Sequence, residues 1–404
     1  MNLLVLSPWF PCPPDNGSRL RAFHLIREWA NAGHAIRLVT GLQEDIASRA
    51  DYGALRQLCE SVAVFPWRWH DGGSRGDIRD LLSHVPRSIS ETDNSALRDA
   101  MIKGFLQKPD ACIAMELASA PFIPKRPNGI PVVLEQVEVS GVARAAQEAQ
   151  GARAIIRTGL TRAKHDNYWR RELKRFDALT SVSAEEATAV RSLVGSERPP
   201  VIVVPNGVDI AYYSHKHVPT PVAGRAIYNG SLTYGPNREA VAWFVQEILP
   251  LIAKEISDAH LVVTGAIPQS VGEPFAGNPR VIFTDYVSDI RPILASAVIC
   301  TVPLKTGGGT RLKILEAWAA RVPVVSTRVG ASGLAGSEDG RHLLLADTPK
   351  DFASACTRLL GQPDRRQQIA ARARQLAEER YNWRDLAGQI TDLLPSPGAN
   401  NDGL

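Results

Sequence analysis

Short, continuous apolar runs recur along this chain, separated by loops and helical stretches and without the alternation of a half-exposed sheet. Asn2–Leu6, Ala35–Thr40, Val62–Phe65, Asp110–Met115, Pro131–Leu134, Ala178–Ser183 and Val201–Val204 mark the first half. Ala226–Tyr228, His260–Thr264, Val281–Thr284, Ala297–Val302 and Val322–Ser326 mark the second. Such runs suit parallel strands covered on both faces. Between the first two, Ala22, Leu25, Ile26 and Trp29 fall at i, i+3, i+4 and i+7. That spacing predicts a helix over Arg19–Asn31, capped by Ser18 and ended by Gly33. Arg365–Leu394 predicts a last helical segment. Strand and helix alternate throughout, so the expected class is α/β with parallel sheets. No similarity at solenoid periods interrupts that rhythm.

One stretch carries the clearest chemistry. After Ala297–Val302 comes Pro303–Thr327, PLKTGGGTRLKILEAWAARVPVVST, with Gly307, Gly308 and Gly309 in a row. A helix is expected to open near Thr310 and to carry Arg311, Lys313 and Glu316. A glycine loop entering a helix presents backbone N–H groups and a positive dipole end to a phosphate. Arg311 and Lys313 would weaken an isolated first turn, so their placement implies an anion there. Their directions on a helix differ by about 200°, which predicts that only one of them points at a ligand. Glu316, about 1.5 turns further on, is within reach of a ligand hydroxyl. Ligands gather at the carboxyl ends of parallel strands, which singles out Glu116 and Glu138 in the first half. No G-x-G-x-x-G follows the first strand, so a dinucleotide site is not expected there.

Composition narrows the class. At 404 residues the chain exceeds what one core usually organises, which predicts two domains. It is 44% apolar and 22% charged with a net charge of +4, too mild a balance to imply nucleic acid. The five cysteines are widely spaced with no C-x-x-C, as expected of buried thiols in a cytoplasmic protein. Met1–Ser7 lacks a basic flank and reads as a first strand rather than a signal peptide. No apolar run approaches the roughly 20 residues of a spanning helix. Arg153–Arg175 holds eight Lys/Arg against two acidic residues, interrupted by Ile155, Leu160, Tyr168 and Trp169. It reads either as a solvated helix face or as a peripheral contact with anionic membrane.

The GGGTRLK segment and the LEAWA helix after it resemble the donor-site segment of glycosyltransferase family 4, which has the two-domain GT-B fold. Further stretches add to the resemblance: RFDALTSVSAEE, PNGVD at Pro205–Asp209, NGSLTYGPN at Asn229–Asn237, DYVSDIRPILASA and the terminal YNWRDLAGQITDLL. It covers residues 200–395 strongly and the first 200 weakly, EQVEVS around Glu138 being an imperfect match. It implies two Rossmann-like domains facing a central cleft. Residues 1–205, joined by about 381–404 crossing back, would bind the acceptor, and 206–380 the nucleotide sugar. PNGVD would be the hinge, and Tyr212–Gly224 the linker.

The resemblance also assigns roles. Gly230 and Ser231 would lie beside the donor phosphates, with Lys305, Gly308, Gly309, Thr310, Arg311 and Lys313 meeting the diphosphate. Tyr286 and Val287 would flank the base, and Glu316 would hold the ribose. The loop containing Asn16, Gly17 and Arg19 would touch acceptor or phosphate. Arg311, Lys313, Glu116 and Glu138 are the catalytic candidates. The implied reaction is sugar transfer from a UDP-, GDP- or dTDP-sugar, with retention and without metal or other cofactor. The acceptor would be a glycan, a lipid-linked molecule or a small molecule, and the site cytoplasmic or peripheral at the inner membrane face. Two departures stand out. The first Glu of the family's E-x7-E is Gly308 here, and the loop Asn229–Asn237 lacks the family's Arg and Lys, with Ser231 at the Arg position. The alternatives are a nucleotide-sugar 2-epimerase of the same fold, or a nucleotide-sugar-binding protein without turnover.

Overall fold

The computed structural model describes residues 1–67, 86, 94–125, 129–147, 151–195, 199–214, 220–268, 275, 277–307 and 311–395. The chain divides into two compact units, Met1–Pro205 with Trp383–Leu404, and Asn206–Asn382. The first is built on β1 (Asn2–Ser7), β2 (Ala35–Leu42), β3 (Ser61–Pro66), β4 (Ala111–Met115), β5 (Val132–Glu135), β6 (Ala178–Ser181) and β7 (Val201–Val203). They form one parallel sheet in the order β3-β2-β1-β4-β5-β6-β7. Val5 lies opposite Leu38 on one side and Ile113 on the other.

Residue alternation sorts this sheet into two cores. Leu3 and Val5 join Ile36, Leu38 and Ile113 in a cluster with Leu25, Ile26 and Trp29 of the helix Gly17–Asn31. Leu4 and Leu6 face the other way, with Val39 and Ala114, onto Leu97 and Met101 of helix Ser95–Leu106 and Trp169 of helix Ala152–Glu172. Both faces are covered, which is why the strands read as unbroken apolar runs. The helix Trp383–Thr391 completes the first cluster: Trp29 Nε1 donates to the Ala387 carbonyl at 3.0 Å, and His24 stacks on Trp383. Arg365–Leu394 is thus two helices rather than one segment. Pro363–Arg380 ends at Tyr381, whose hydroxyl is tied to the Ala335 carbonyl, and the chain re-enters a helix at Trp383.

The first helix begins at Gly17 and is capped by Asn16, whose side chain accepts from Arg19 N at 3.0 Å. Ser18 lies inside it, so the predicted cap is two residues late. Arg21, fully buried on this helix, pairs with Glu135 at the end of β5 and donates to the carbonyls of Val204 and Pro205 at 2.9 and 2.8 Å. Arg21 thereby locks the helix to the ends of β5 and β7. That pairing was not evident in the sequence.

The second unit holds β8 (Arg225–Asn229), β9 (His260–Thr264), β10 (Val281–Phe283), β11 (Ile299–Val302), β12 (Val324–Ser326) and β13 (Leu344–Leu345). These form a parallel sheet in the order β10-β9-β8-β11-β12-β13 around a single core. In each unit the strand order reverses beside the first strand, between β1 and β4 and between β8 and β11. Such switch points open a crevice at the strands' carboxyl ends. Tyr212–Ser214, read as linker, is held on this unit: Arg374 bonds Ser214 Oγ at 2.7 Å, and the Arg291 guanidinium lies 3.9 Å from the Tyr212 ring centre. All five cysteines are buried free thiols. Among the described residues no helix is long and apolar enough to cross a membrane.

Candidate functional site

The β8/β11 switch point gathers a cation, a carboxylate and a bare backbone turn. β8 ends in Tyr228 and Asn229, both buried, and Gly230 follows. A Cβ on Gly230 would stand 2.8 Å from Lys313 Nζ and 3.0 Å from Asn237 Nδ2, so this close approach requires glycine. Pro236 sits in the first turn of the helix Gly235–Trp243, where its missing N–H costs nothing, and Asn237 is buried beside it. Asn237 Oδ1 accepts from the Tyr228 hydroxyl at 2.6 Å and from Lys313 Nζ at 3.1 Å, while its Nδ2 donates to the Ser231 carbonyl at 2.7 Å.

Lys313 and Glu316 lie on the helix Leu312–Ala319. Lys313 Nζ donates to the Tyr228 hydroxyl at 2.9 Å and sits 4.2 Å from that ring's centre. Burial brings its pKa down to about 7, Arg311 adding to the fall and Cys300 and Glu316 opposing it. The Glu316 carboxylate accepts from Asn229 Nδ2 at 2.6 Å and is also bonded by Tyr213. Burial pushes it up to about 7 against those bonds and the charge of Lys313. One wall therefore holds a lysine and a glutamate that both titrate near neutrality, as functional sites often do.

Arg311 differs from its expected place. The helix begins at Leu312 rather than Thr310, and Arg311 precedes it as a buried N-cap residue that donates to the Val329 carbonyl at 3.3 Å. Arg311 is thus off the helix, so the 200° separation from Lys313 does not apply, and both side chains are held inside the unit. Gly308, Gly309 and Thr310 lie outside the described residues. Lys305 is exposed, its ammonium 4.3 Å from the Trp243 ring centre. Ser231 Oγ pairs with Thr233 Oγ1 at 2.7 Å. Tyr286 is exposed and Val287 half-buried in the loop after β10, which Gly265 joins to the loop after β9 by donating to the Asp285 carbonyl.

The β1/β4 switch point of the first unit is acidic. Trp9, after β1, donates its indole N–H to Glu116 Oε2 at 2.8 Å, and Ser18 also bonds this carboxyl. Burial raises the Glu116 pKa, with smaller contributions from Glu138 and Glu135. Glu116 and Gln136 follow adjacent strands, and both have positive φ, 62° and 59°. Two non-glycine residues so placed store backbone strain, about 1–3 kcal/mol each, of the kind that clusters at ligand sites. Glu138 is exposed; desolvation and the charge of Glu186 raise its carboxyl. Gly17 opens the helix that Asn16 caps. The Arg19 guanidinium is engaged by Asp15 and Asp45 at 2.9 and 3.3 Å, which reduces what it can offer a phosphate.

Sequence reasoning missed Tyr213, Tyr228, Asn229, Asn237 and Trp9. Asn229 and Asn237 bound the loop already singled out, yet nothing in their spacing marks them as partners of residues some 80 positions away.

Residues 223–362 match the family described as Glycosyl transferases group 1. D-inositol 3-phosphate glycosyltransferase from Kineococcus radiotolerans is 29% identical over 245 residues, 51% of this chain and 54% of that protein. The chain spans about half the length of the curated relatives it matches. Among solved structures, WaaG, a glycosyltransferase involved in lipopolysaccharide biosynthesis, superposes with a TM-score of 0.66 at 15% identity, covering 98% of this chain and 100% of that one. Alr3699/HepE of Anabaena, solved with UDP, gives 0.65 at 16% identity, covering 98% and 99%. Two parallel sheets with one strand order, matched over nearly the whole chain, give this protein the GT-B fold.

Proposed function

We propose that the protein transfers a sugar from a nucleotide-sugar donor to a hydroxyl-bearing acceptor, with the donor held by residues 206–382. The carrying observation is the Lys313–Glu316 pair facing Gly230 and Asn229 where β8 and β11 diverge. Breaking the anomeric bond moves charge onto the departing diphosphate, and catalysis follows from preorganised positive potential at that point. Lys313 and Arg311 supply the cations in this reading, and the N–H group of Ser231 adds a dipole, that of Gly230 being spent on the Thr264 carbonyl at 2.9 Å. Glu316 holds the ribose hydroxyls, with Asn229 and Tyr213 fixing its carboxylate. The Anabaena protein's complexes with UDP and UDP-glucose favour a UDP-sugar as donor. The sugar's configuration is retained, as in the family that GGGTRLK resembles. Glu116, strained and bonded to Trp9, is the acceptor-side candidate in the first unit, and Glu138 is the second.

The acceptor side of this reading includes contact with an anionic membrane. On helix Ala152–Glu172, Ile156 and Leu160 are 63% and 65% exposed and point away from the buried His165 and Trp169. Arg153, Arg157 and Lys164 flank that stripe on one side, a basic border of the kind an in-plane interfacial helix carries. Co-flotation with anionic vesicles but not with neutral ones tests this contact.

The function itself is tested by thermal shift against UDP-, GDP- and dTDP-sugars, followed by assay of nucleoside diphosphate release with the donor that binds. A ligand selective for the native state raises the melting temperature. No shift with any donor refutes the reading.

A further inference from the structure

The loop that leaves β8, Asn229–Asn237, has the sequence NGSLTYGPN and brings no cation to the switch point. The next residue, Arg238, is turned onto the loop's own carbonyls, those of Leu232 and Thr233, at 3.1 and 2.8 Å. Yet an ammonium does stand in the turn. Lys313, 83 positions beyond Gly230, places Nζ 2.8 Å from where a Cβ of residue 230 would stand. Two buried side chains fix it there, Tyr228 by hydroxyl and ring face and Asn237 by Oδ1. Tyr228 and Asn237 also bond each other, so the cradle is closed before any ligand arrives. Its polar atoms are matched: the tyrosine O–H donates to the amide oxygen, and both oxygens accept from the ammonium.

We propose that Tyr228 and Asn237 are positioning residues that present the Lys313 ammonium to the donor's diphosphate across this bare loop, and that Lys313 takes up its proton from solvent as the diphosphate binds. This deepens the donor-site reading above and rests on it. The charged and titratable groups facing Lys313 are Tyr228 from β8, Cys300 from β11, Arg311 from the entering loop and Glu316 from its own helix. Burial disfavours its charge, Arg311 disfavours it further, and Glu316 and Cys300 only partly offset them. A diphosphate adds negative charge beside a site of low dielectric and reverses that balance. The β8 loop thus keeps a cation at the leaving group without carrying one in its own sequence. The cation is strong only when there is something to neutralise.

The test is calorimetry on the full chain with UDP, GDP and dTDP at pH 8, in two buffers of different ionisation enthalpy. At that pH the Glu316 carboxyl and the terminal phosphate are already mostly ionised, which isolates Lys313. Wild type is expected to take up more than about half a proton per nucleotide, with affinity falling up to about tenfold per pH unit between 7 and 9. Lys313→Met should abolish the uptake and lose at least about tenfold in affinity at pH 7. Lys313→Arg, charged at every pH, should bind with a flat profile and no uptake. Tyr228→Phe and Asn237→Ala keep the lysine but remove an acceptor, so the pH at which affinity falls should move down in each. Urea denaturation confirms that each variant folds. Binding without proton uptake, uptake that persists in Lys313→Met, or wild-type pH profiles in both cradle variants would overturn the proposal alone. Failure of all three nucleotides to bind wild type would overturn the donor-site reading, and this inference with it.

Discussion

Replacing Glu316 by Gln should stabilise the ligand-free protein while weakening its grip on nucleotide. The folded-state pKa of Glu316 is raised from 4.5 to about 7 by burial, so folding holds this proton more tightly than the unfolded chain does. Its contribution to stability is therefore complete below about pH 4.5 and is lost as pH rises through about 7. A shift of this size corresponds to about 3 kcal/mol. Glutamine keeps an oxygen for Asn229 Nδ2 to bond but never ionises. Wild type and variant should thus have similar stability at pH 4.5, and the variant should gain about 2–3 kcal/mol by pH 8. Lys313 loses a neighbour that favours its charge, which trims the gain. Nucleotide binding should move the other way: a lost charged hydrogen bond to a ribose hydroxyl costs about 1.5–3 kcal/mol, or roughly 10–150-fold in Kd. Urea denaturation at the two pH values gives the first quantity and calorimetry with UDP the second. Parallel stability curves across that range, or an unchanged Kd, would refute the reasoning.

Arg21→Leu leaves Glu135 buried without its partner and should cost about 3–5 kcal/mol in urea denaturation, with Arg21→Leu/Glu135→Leu costing less than the two singles added. Strict additivity would show the pair to be uncoupled. Gly230→Ala drives a methyl into Lys313 Nζ and Asn237, and should lower nucleotide affinity at least about tenfold with a small change in melting temperature. Equal affinity would remove the close approach from the site. Ile156→Asp/Leu160→Asp should abolish flotation with anionic vesicles and leave nucleotide affinity unchanged, since both side chains are exposed in the other unit. Undiminished flotation would discard that helix as the contact.

Much of the fold was legible because parallel strands covered on both faces leave unbroken apolar runs, and Leu3 to Leu6 split cleanly between two cores. That Lys313 and Glu316 share one helix after a glycine run was legible in the sequence. Their surroundings were not, because Tyr228, Asn229 and Asn237 meet the helix Leu312–Ala319 only through the β8–β11 pairing. The Asn16 cap was misplaced since Asn16 and Ser18 both suit that role, and only the bond to Arg19 N decides between them. Arg311 was placed on the helix because a basic first turn and an N-cap residue just before it look alike in sequence. The positive φ of Glu116 and Gln136 leaves no trace in residue type, since neither is a glycine.

The central claim is that the nucleotide sits where β8 and β11 diverge, and a crystal structure of the full chain with UDP tests it most directly. The diphosphate should lie within hydrogen-bonding distance of Lys313 Nζ and the N–H group of Ser231, with the ribose hydroxyls at Glu316. A nucleotide bound at the β1/β4 end of the first unit, or one whose phosphates leave Lys313 bonded only to Tyr228 and Asn237, would contradict the account.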